Sequence, residues 1–380
     1  MKNFKNADIK ITLIILLPIA FIVNFIASKN PEFVEKYYSL WISKYIVKIL
    51  SSITGIIPFS LYELTMYIIA ISIIAWIITF IYKLTNGKQV FSHFIKHSII
   101  NILCIASTVY FLFIVLWGIN YNRVSLETTL LQNLQFKSGK DTKDNKDNKD
   151  YKDLISLYSF LVEKSNETRK LTKQDKESIM KNNSDYRGVI NRANLGYQNT
   201  EGLIPGFEGN YAKAKPVNSS ELMCYTGITG IYFPFTGEAN VNIAVPDFTL
   251  PATVSHEMAH QRGFASEDEA NFIAYLTSVN HPDNDFKYSG YTLALMYTGS
   301  ALRKADYEEY IRISSKLSED VKRDLNYNSE FWSKYEGKID EISNELNNTY
   351  LKSNGIKSGV QNYGQMVELL LLYFNNAKWI

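Results

Sequence analysis

Residues 228–245 read ITGIYFPFTGEANVNIAV, and the chain continues from residue 250 as LPATVSHEMAHQRG and from residue 264 as FASEDEANFIAYL. The end of the first stretch alternates Val241, Ile243 and Val245 against Asn240, Asn242 and Ala244, the period of a half-buried strand. Thr249 as N-cap and Pro251 in the first turn suit a helix start, and Gly263 suits a helix stop, so a helix is predicted over Pro251 to Arg262. After the turn Gly263 to Ser266, a second helix is predicted over Glu267 to Val279. The first helix carries His256-Glu257-Met258-Ala259-His260. Four residues make slightly more than one turn, so both imidazoles project from one face and can share one zinc ion. Glu257 stands beside them, able to take a proton from a water on that metal.

A catalytic zinc ordinarily has three protein ligands and one open position. Glu267, Asp268 and Glu269 follow at once as candidates. Glu267-Asp268-Glu269-Ala270-Asn271 resembles the E-x-x-A-D and E-x-x-A-N segments of several zinc peptidase groups, which implies Glu267 as third ligand and Asn271 as the residue orienting a histidine. Glu269 stays open as the alternative, because residues symmetric about a tight helical hairpin oppose each other and that sets Glu269 across from His260. A capping box between Ser266 and Glu269 is a further reading. The segment also resembles the metzincin motif H-E-x-x-H-x-x-G-x-x-H as far as Gly263, but Ser266 occupies the last ligand position. Tyr288, Tyr291, Arg262 and His281 are nearby candidates for an oxyanion donor, and nothing in the sequence selects among them. His281 precedes Pro282 at a helix end, where a surface capping role is expected. His93 and His97 fall in the predicted inner loop between spans.

Working outward, the 380-residue chain has two solvents. Three stretches, about residues 11–27, 64–82 and 98–119, are long and apolar enough to cross a bilayer, which takes about 20 residues. The first follows Lys2, Lys5 and Lys10 and competes with a signal-peptide reading, though no clear cleavage site precedes Lys29. Residues 30–61 mix apolar and charged side chains as a surface-lying amphipathic segment does. Lys2, Lys5 and Lys10, with Lys83, Lys88 and Lys96 between the second and third spans, predict a multi-pass cell-membrane protein with these residues cytoplasmic and the chain beyond Asn122 outside. Residues 123–153 read as a juxtamembrane segment and linker. Lys137 to Asp153 in particular (KSGKDTKDNKDNKDYKD) has almost nothing apolar to bury and reads as a solvated linker. Residues 154–380 read as a mostly helical α+β domain, with helical periodicity at Leu154 to Arg169, Asp306 to Asp324 and Tyr363 to Phe374. The net charge of +2 offers no basic face for nucleic acid, and two cysteines exclude a disulfide framework or a cysteine-built metal site.

The stretches at 34–63, 117–126 (WGINYNRVSL), 215–242, 256–276 and 360–374 (VQNYGQMVELLLLYF) resemble the bacterial membrane proteins grouped as domain-of-unknown-function family 3810. That resemblance spans nearly the whole chain and implies membrane anchoring with a metallopeptidase-like site, without naming a substrate. The expected architecture is mainly α, three transmembrane helices followed by a zincin-like α+β domain with a small sheet. The expected activity is zinc-dependent hydrolysis of a peptide or protein substrate. Zn(2+) would be held by His256, His260 and Glu267, with Glu257 as general base and the substrate laid along Val241 to Val245. The alternative is a membrane-anchored zinc-binding sensor without hydrolysis.

Overall fold

The structure, a computed structural model, describes residues 2–85, 88–138, 146–353 and 364–376. Three helices, Lys2–Ser28, Leu61–Thr85 and Lys88–Leu116, enclose the first two predicted spans and most of the third, and are long and apolar enough to cross a bilayer. The third ends earlier than expected: after Trp117 the backbone tightens into the 3-10 turn Gly118–Asn122. Ile68, Ile69, Ile71, Ile73 and Ile74 of the second helix are exposed all round its axis, which water would penalise and lipid does not. The first and third helices run side by side in the same direction. Lys10 Nζ donates to Asn101 Oδ1 at 2.9 Å near one end, and Asn122 Nδ2 to Asn24 Oδ1 at 2.8 Å near the other. The second runs antiparallel to the third, with Trp76 Nε1 donating to Ser98 Oγ at 3.3 Å. Ser28, Leu61 and Leu116 therefore meet the rest of the protein at one end, and His93 and His97 lie within the third helix towards the other.

The segment between the first two long helices is helical throughout most of its length, with Pro31–Phe33, a π-helical stretch Val34–Ser43 and the α-helix Lys44–Thr54. Its two faces are sharply different. Trp41, Tyr45, Ile49 and Ile53 form an exposed apolar stripe, whereas Ser39, Ser43, Val47 and Ser51 are buried against the protein. An apolar stripe outside and a small-residue face inside is the amphipathicity of a helix held at a lipid surface.

Two small sheets form: the hairpin β1 (Lys173–Gln174) and β2 (Met180–Lys181), and a three-stranded sheet of β3 (Lys215–Val217), β4 (Gly230–Phe233) and β5 (Glu238–Asn242) in the order β3-β5-β4. β5 pairs parallel with β3 and antiparallel with β4. The predicted half-buried strand at Val241 to Val245 is thus corrected: the strand ends at Asn242, is buried throughout, and has a neighbour on each side. Its alternating polar residues face a buried network rather than water. Glu238 Oε2 accepts from the backbone NH of Leu61 and Tyr62 (3.0 and 3.2 Å), capping the second long helix, and Ser60 Oγ donates to Asn240 Oδ1 at 2.6 Å. Lys215 Nζ donates to Glu238 Oε1 at 2.5 Å and to the carbonyls of Thr54 and Phe59. Removing one partner of a buried ion pair leaves the other charge uncompensated. Lys215→Met is expected to lower unfolding stability in detergent by about 3 kcal/mol, read as a shifted denaturant midpoint. An unchanged midpoint would mean that the pair does not hold sheet to membrane helix.

Behind the sheet lie helices Leu250–Gln261, Glu267–Val279, Asn284–Ala305 and Lys146–Arg169, sharing one core that includes Leu161, Phe248, Phe272 and Leu302. Three expectations change here. The charged tract is not all linker: Lys146 to Asp153 extends the helix whose buried face is Leu154, Leu157, Tyr158 and Leu161, while residues 139–145 lie outside the described residues. The single helix expected over Asp306 to Asp324 is two, Tyr307–Ser314 and Glu319–Ser333, because Asp306 and Ser318 each cap a start by accepting from Glu309 N and Val321 N. The last helix is Gln365–Asn376, entered through Gly364, with residue 363 outside the described residues.

Candidate metal centre

The helix expected over Pro251 to Arg262 spans Leu250–Gln261. Gly263 ends it at φ +86°, where L side chains are strained, and the chain turns at once into Glu267–Val279. This hairpin brings His256, His260 and Glu267 together, with one ligand atom from each within 4.8 Å of the others. His256 Nε2 lies 3.2 Å from Glu267 Oε2, and His260 Nε2 lies 3.6 Å from Glu267 Oε1. Each imidazole is held by its other nitrogen: His256 Nδ1–H donates to Asn271 Oδ1 at 2.9 Å and His260 Nδ1–H to the Phe264 carbonyl at 2.7 Å. Both acceptors require a proton on Nδ1, so both Nε2 lone pairs face Glu267, the outer-shell arrangement of metal-binding histidines.

Glu269 goes elsewhere. It is buried and accepts from the backbone NH of Leu126 at 2.6 Å, which starts the helix Leu126–Ser138. Burial raises its carboxyl above the ordinary range despite that bond. No capping box forms, since the Ser266 side chain makes no cap bond. The hairpin symmetry that favoured Glu269 fails because the turn is followed by helix geometry: residues 267 and 271 share a face towards the histidines, and 269 points about 200° away around the axis.

Glu257, next to His256 on the same helix, is buried. A Cβ built on Gly230 would stand 2.4 Å from Glu257 Oε1, so only glycine in β4 leaves room for this carboxylate. Its other oxygen, Oε2, is buried without a hydrogen-bond partner among the described residues. Burial pushes the carboxyl up to about 7, against the opposing pull of His256 and His260. Burial pulls the His260 imidazole down, but the charge and hydrogen bond of Glu267 outweigh it and hold it up at about 9. Burial likewise opposes ionisation of Glu267, yet His260 and His256 hold it well below the usual carboxylate range.

This donor set fits a zinc ion. Two imidazole lone pairs and a carboxylate converging on one point repel unless a cation lies between them, and protons fill that role when no metal does. Glu267 offers one oxygen to each imidazole, at 3.2 and 3.6 Å, and one ligand atom from each of the three residues lies within 4.8 Å of the others, close enough to converge on one ion. Two imidazole nitrogens and one carboxylate are donors that zinc accepts, and three protein ligands would leave one position of a tetrahedral ion open.

The centre forms the floor of a cavity of about 1000 Å³. None of the four residues considered for an oxyanion donor lines it. Tyr288 is buried and donates to Asp324 Oδ2 at 2.7 Å. Tyr291 packs against the rings of Phe160 and Tyr275. Arg262 lies over Tyr197 and donates to the Met258 carbonyl and to Asn194. His281 is no surface cap: it is fully buried, stacked on Phe286, with Nδ1 accepting from Asp283 N. The residue missed in the sequence is Tyr297, which lines the cavity and accepts from Asn271 Nδ2 at 2.9 Å. Burial, with the charges of Asp268 and Glu267, pushes its phenol up to about 12, so it keeps its proton. It stands 26 residues from its partner Asn271, where no local motif could flag it.

The membrane-proximal chain also reaches the centre. Arg123 forms two 2.7 Å bonds to the carboxylate of Glu35, donates to the Gly263 carbonyl at 3.0 Å and covers the Phe264 ring. It thereby clamps the turn whose Phe264 carbonyl holds His260.

Fold and site together define a predominantly helical protein of membrane type, with three bilayer-length helices and a His-His-Glu cluster beside a buried glutamate. The chain belongs to the family described as Protein of unknown function (DUF3810), whose profile matches residues 38–371. Neither the curated proteins nor the solved structures yield a match.

Proposed function

We propose that this protein is a membrane-anchored zinc metallopeptidase. The observation that carries the reading is the convergence of His256, His260 and Glu267 in the same cavity as a buried glutamate with one unpartnered oxygen. An unpaired buried carboxylate oxygen is costly, and native proteins keep such groups chiefly where they serve a catalytic or binding role. When bound, zinc supplies a Lewis acid that lowers the pKa of water to about 7 and polarises a carbonyl. Glu257 Oε2 takes the proton of the attacking water and delivers it to the nitrogen of the leaving amine. A carboxyl near neutrality suits both transfers. Tyr297, still protonated, supplies a donor for the oxygen of the scissile carbonyl.

The substrate strand differs from the one expected at Val241 to Val245. Both edges of β5 are taken, whereas β4 is an edge strand and Gly230 to Phe233 line the cavity. An extended peptide can therefore pair with β4. We further assign the domain to the extracytoplasmic side of the cell membrane, because Lys2, Lys5, Lys10, Lys83, Lys88 and Lys96 gather towards the opposite end of the helix bundle.

Chelation tests the reading. A metal chelator is expected to abolish hydrolysis of an unstructured peptide by the detergent-solubilised protein, and added zinc to restore it. Hydrolysis that survives complete metal removal would rule the reading out.

A further inference from the structure

The cavity above the centre has an unusual wall. Beyond Glu257, Glu267 and the two histidines, no charged side chain lines it among the described residues. In a chain with 21% charged residues, that absence implies selection of what enters. Ile339, Ile342 and Leu346, at helical spacing on Lys338–Ser353, line the cavity and are 60%, 58% and 66% exposed. Apolar side chains presented together to an open cleft mark a surface that another apolar group covers.

The opposite wall is membrane helix. Phe113 belongs to the last turn of Lys88–Leu116, and Trp117 and Tyr121 follow it; all three line the same cavity. Trp and Tyr are the residues of the lipid headgroup level. The Trp117 ring lies 4.6 Å from that of Tyr232 in β4 and 5.9 Å from that of His260. The cleft therefore opens at the point where a span leaves the bilayer, and the ligand cluster is one side chain away.

From this we infer that the substrate is an uncharged, apolar segment of a membrane-inserted polypeptide, bound where it emerges from the bilayer. This rests on the peptidase reading and names its substrate class. An extended chain advances about 3.3 Å per residue, so the 5.9 Å from Trp117 to His260 sets the scissile bond about two residues beyond the substrate's own span. A charge in that segment would lie against Phe113, Ile342 and Leu346, where no side chain pairs with it short of the ligand cluster itself, which disfavours binding. Tethering to the bilayer raises the local concentration of the segment at the cleft mouth.

The test uses the full chain in proteoliposomes with three probes: an uncharged apolar peptide fused to a single transmembrane helix, the same peptide free in solution, and the fused peptide carrying one Lys in the segment. Fluorescence release reads cleavage. Binding to Glu257→Gln, read by photocrosslinking, reports recognition without turnover. The fused apolar probe is expected to be cleaved and crosslinked at least about tenfold better than either other probe. Ile342→Asp is expected to reverse the preference between the apolar and Lys-bearing probes. Cleavage of all three at equal rates would overturn this inference while leaving the peptidase reading intact. Cleavage of none by zinc-loaded protein would overturn both.

Discussion

Glu257→Gln is expected to reduce peptide hydrolysis by about 10²–10⁴-fold, the usual contribution of a general base, while the protein keeps its metal and its fold. The substitution is nearly isosteric and removes only the capacity of Oε2 to hold a proton. The cradle around it is preserved, because Oε1 packs against Gly230 in β4 and Oε2 makes no hydrogen bond that the amide would break. Taking a buried, unpartnered charge out of the core should raise stability slightly, so the variant should unfold no earlier than the natural protein. That pairing of lost turnover with undiminished stability separates a catalytic carboxylate from a structural one. Steady-state hydrolysis and thermal unfolding, measured on the same preparations, check it. Undiminished turnover would exclude Glu257 as the base. A zinc-binding sensor predicts instead no turnover in either protein and no effect of the substitution in cells.

The second large effect concerns the ligand set. His256→Ala, His260→Ala and Glu267→Ala are each expected to reduce tightly held zinc from about one per chain towards none, since a catalytic site has only three protein ligands to lose. Activity should fall with metal content. Glu269→Gln supplies the contrast, because its carboxylate caps the helix Leu126–Ser138 by accepting from Leu126 N and faces away from the histidines. It should lower stability by about 1 kcal/mol and leave zinc bound. Zinc retained in Glu267→Ala and lost in Glu269→Gln would reverse the assignment.

Much of this site was legible because its information is local. The spacing from His256 to His260 fixes both rings on one helix face, and Gly263 with Ser266 marks the turn into Glu267 at its observed position. Glu267 and Asn271 are likewise one helical turn apart, which is why a short segment could foreshadow both the third member of the cluster and its neighbour. The three long helices were legible for a similar reason, as composition alone reveals an all-round apolar surface.

What the sequence concealed is non-local. Asn240 and Asn242 look like solvent-facing strand positions, but Asn240 bonds to Ser60 and Asn242 to the Ile228 carbonyl, and alternation cannot distinguish water from a buried polar network. The partner that Glu269 takes instead, the backbone NH of Leu126, lies 143 residues earlier, beyond any local pattern. Tyr297 reaches the cavity because helix Asn284–Ala305 packs across both helices of the hairpin. Arg123 shapes the His260 turn from the membrane side for the same kind of reason. Residues on one helix can be read from periodicity, whereas residues joined by packing require the fold.

The most direct test of the central claim is the zinc content of the purified wild-type protein, measured by elemental analysis beside His256→Ala. The account predicts about one zinc per wild-type chain and almost none in the variant at equal folded content. No bound zinc in the folded wild-type protein, or equal zinc in both, would contradict it.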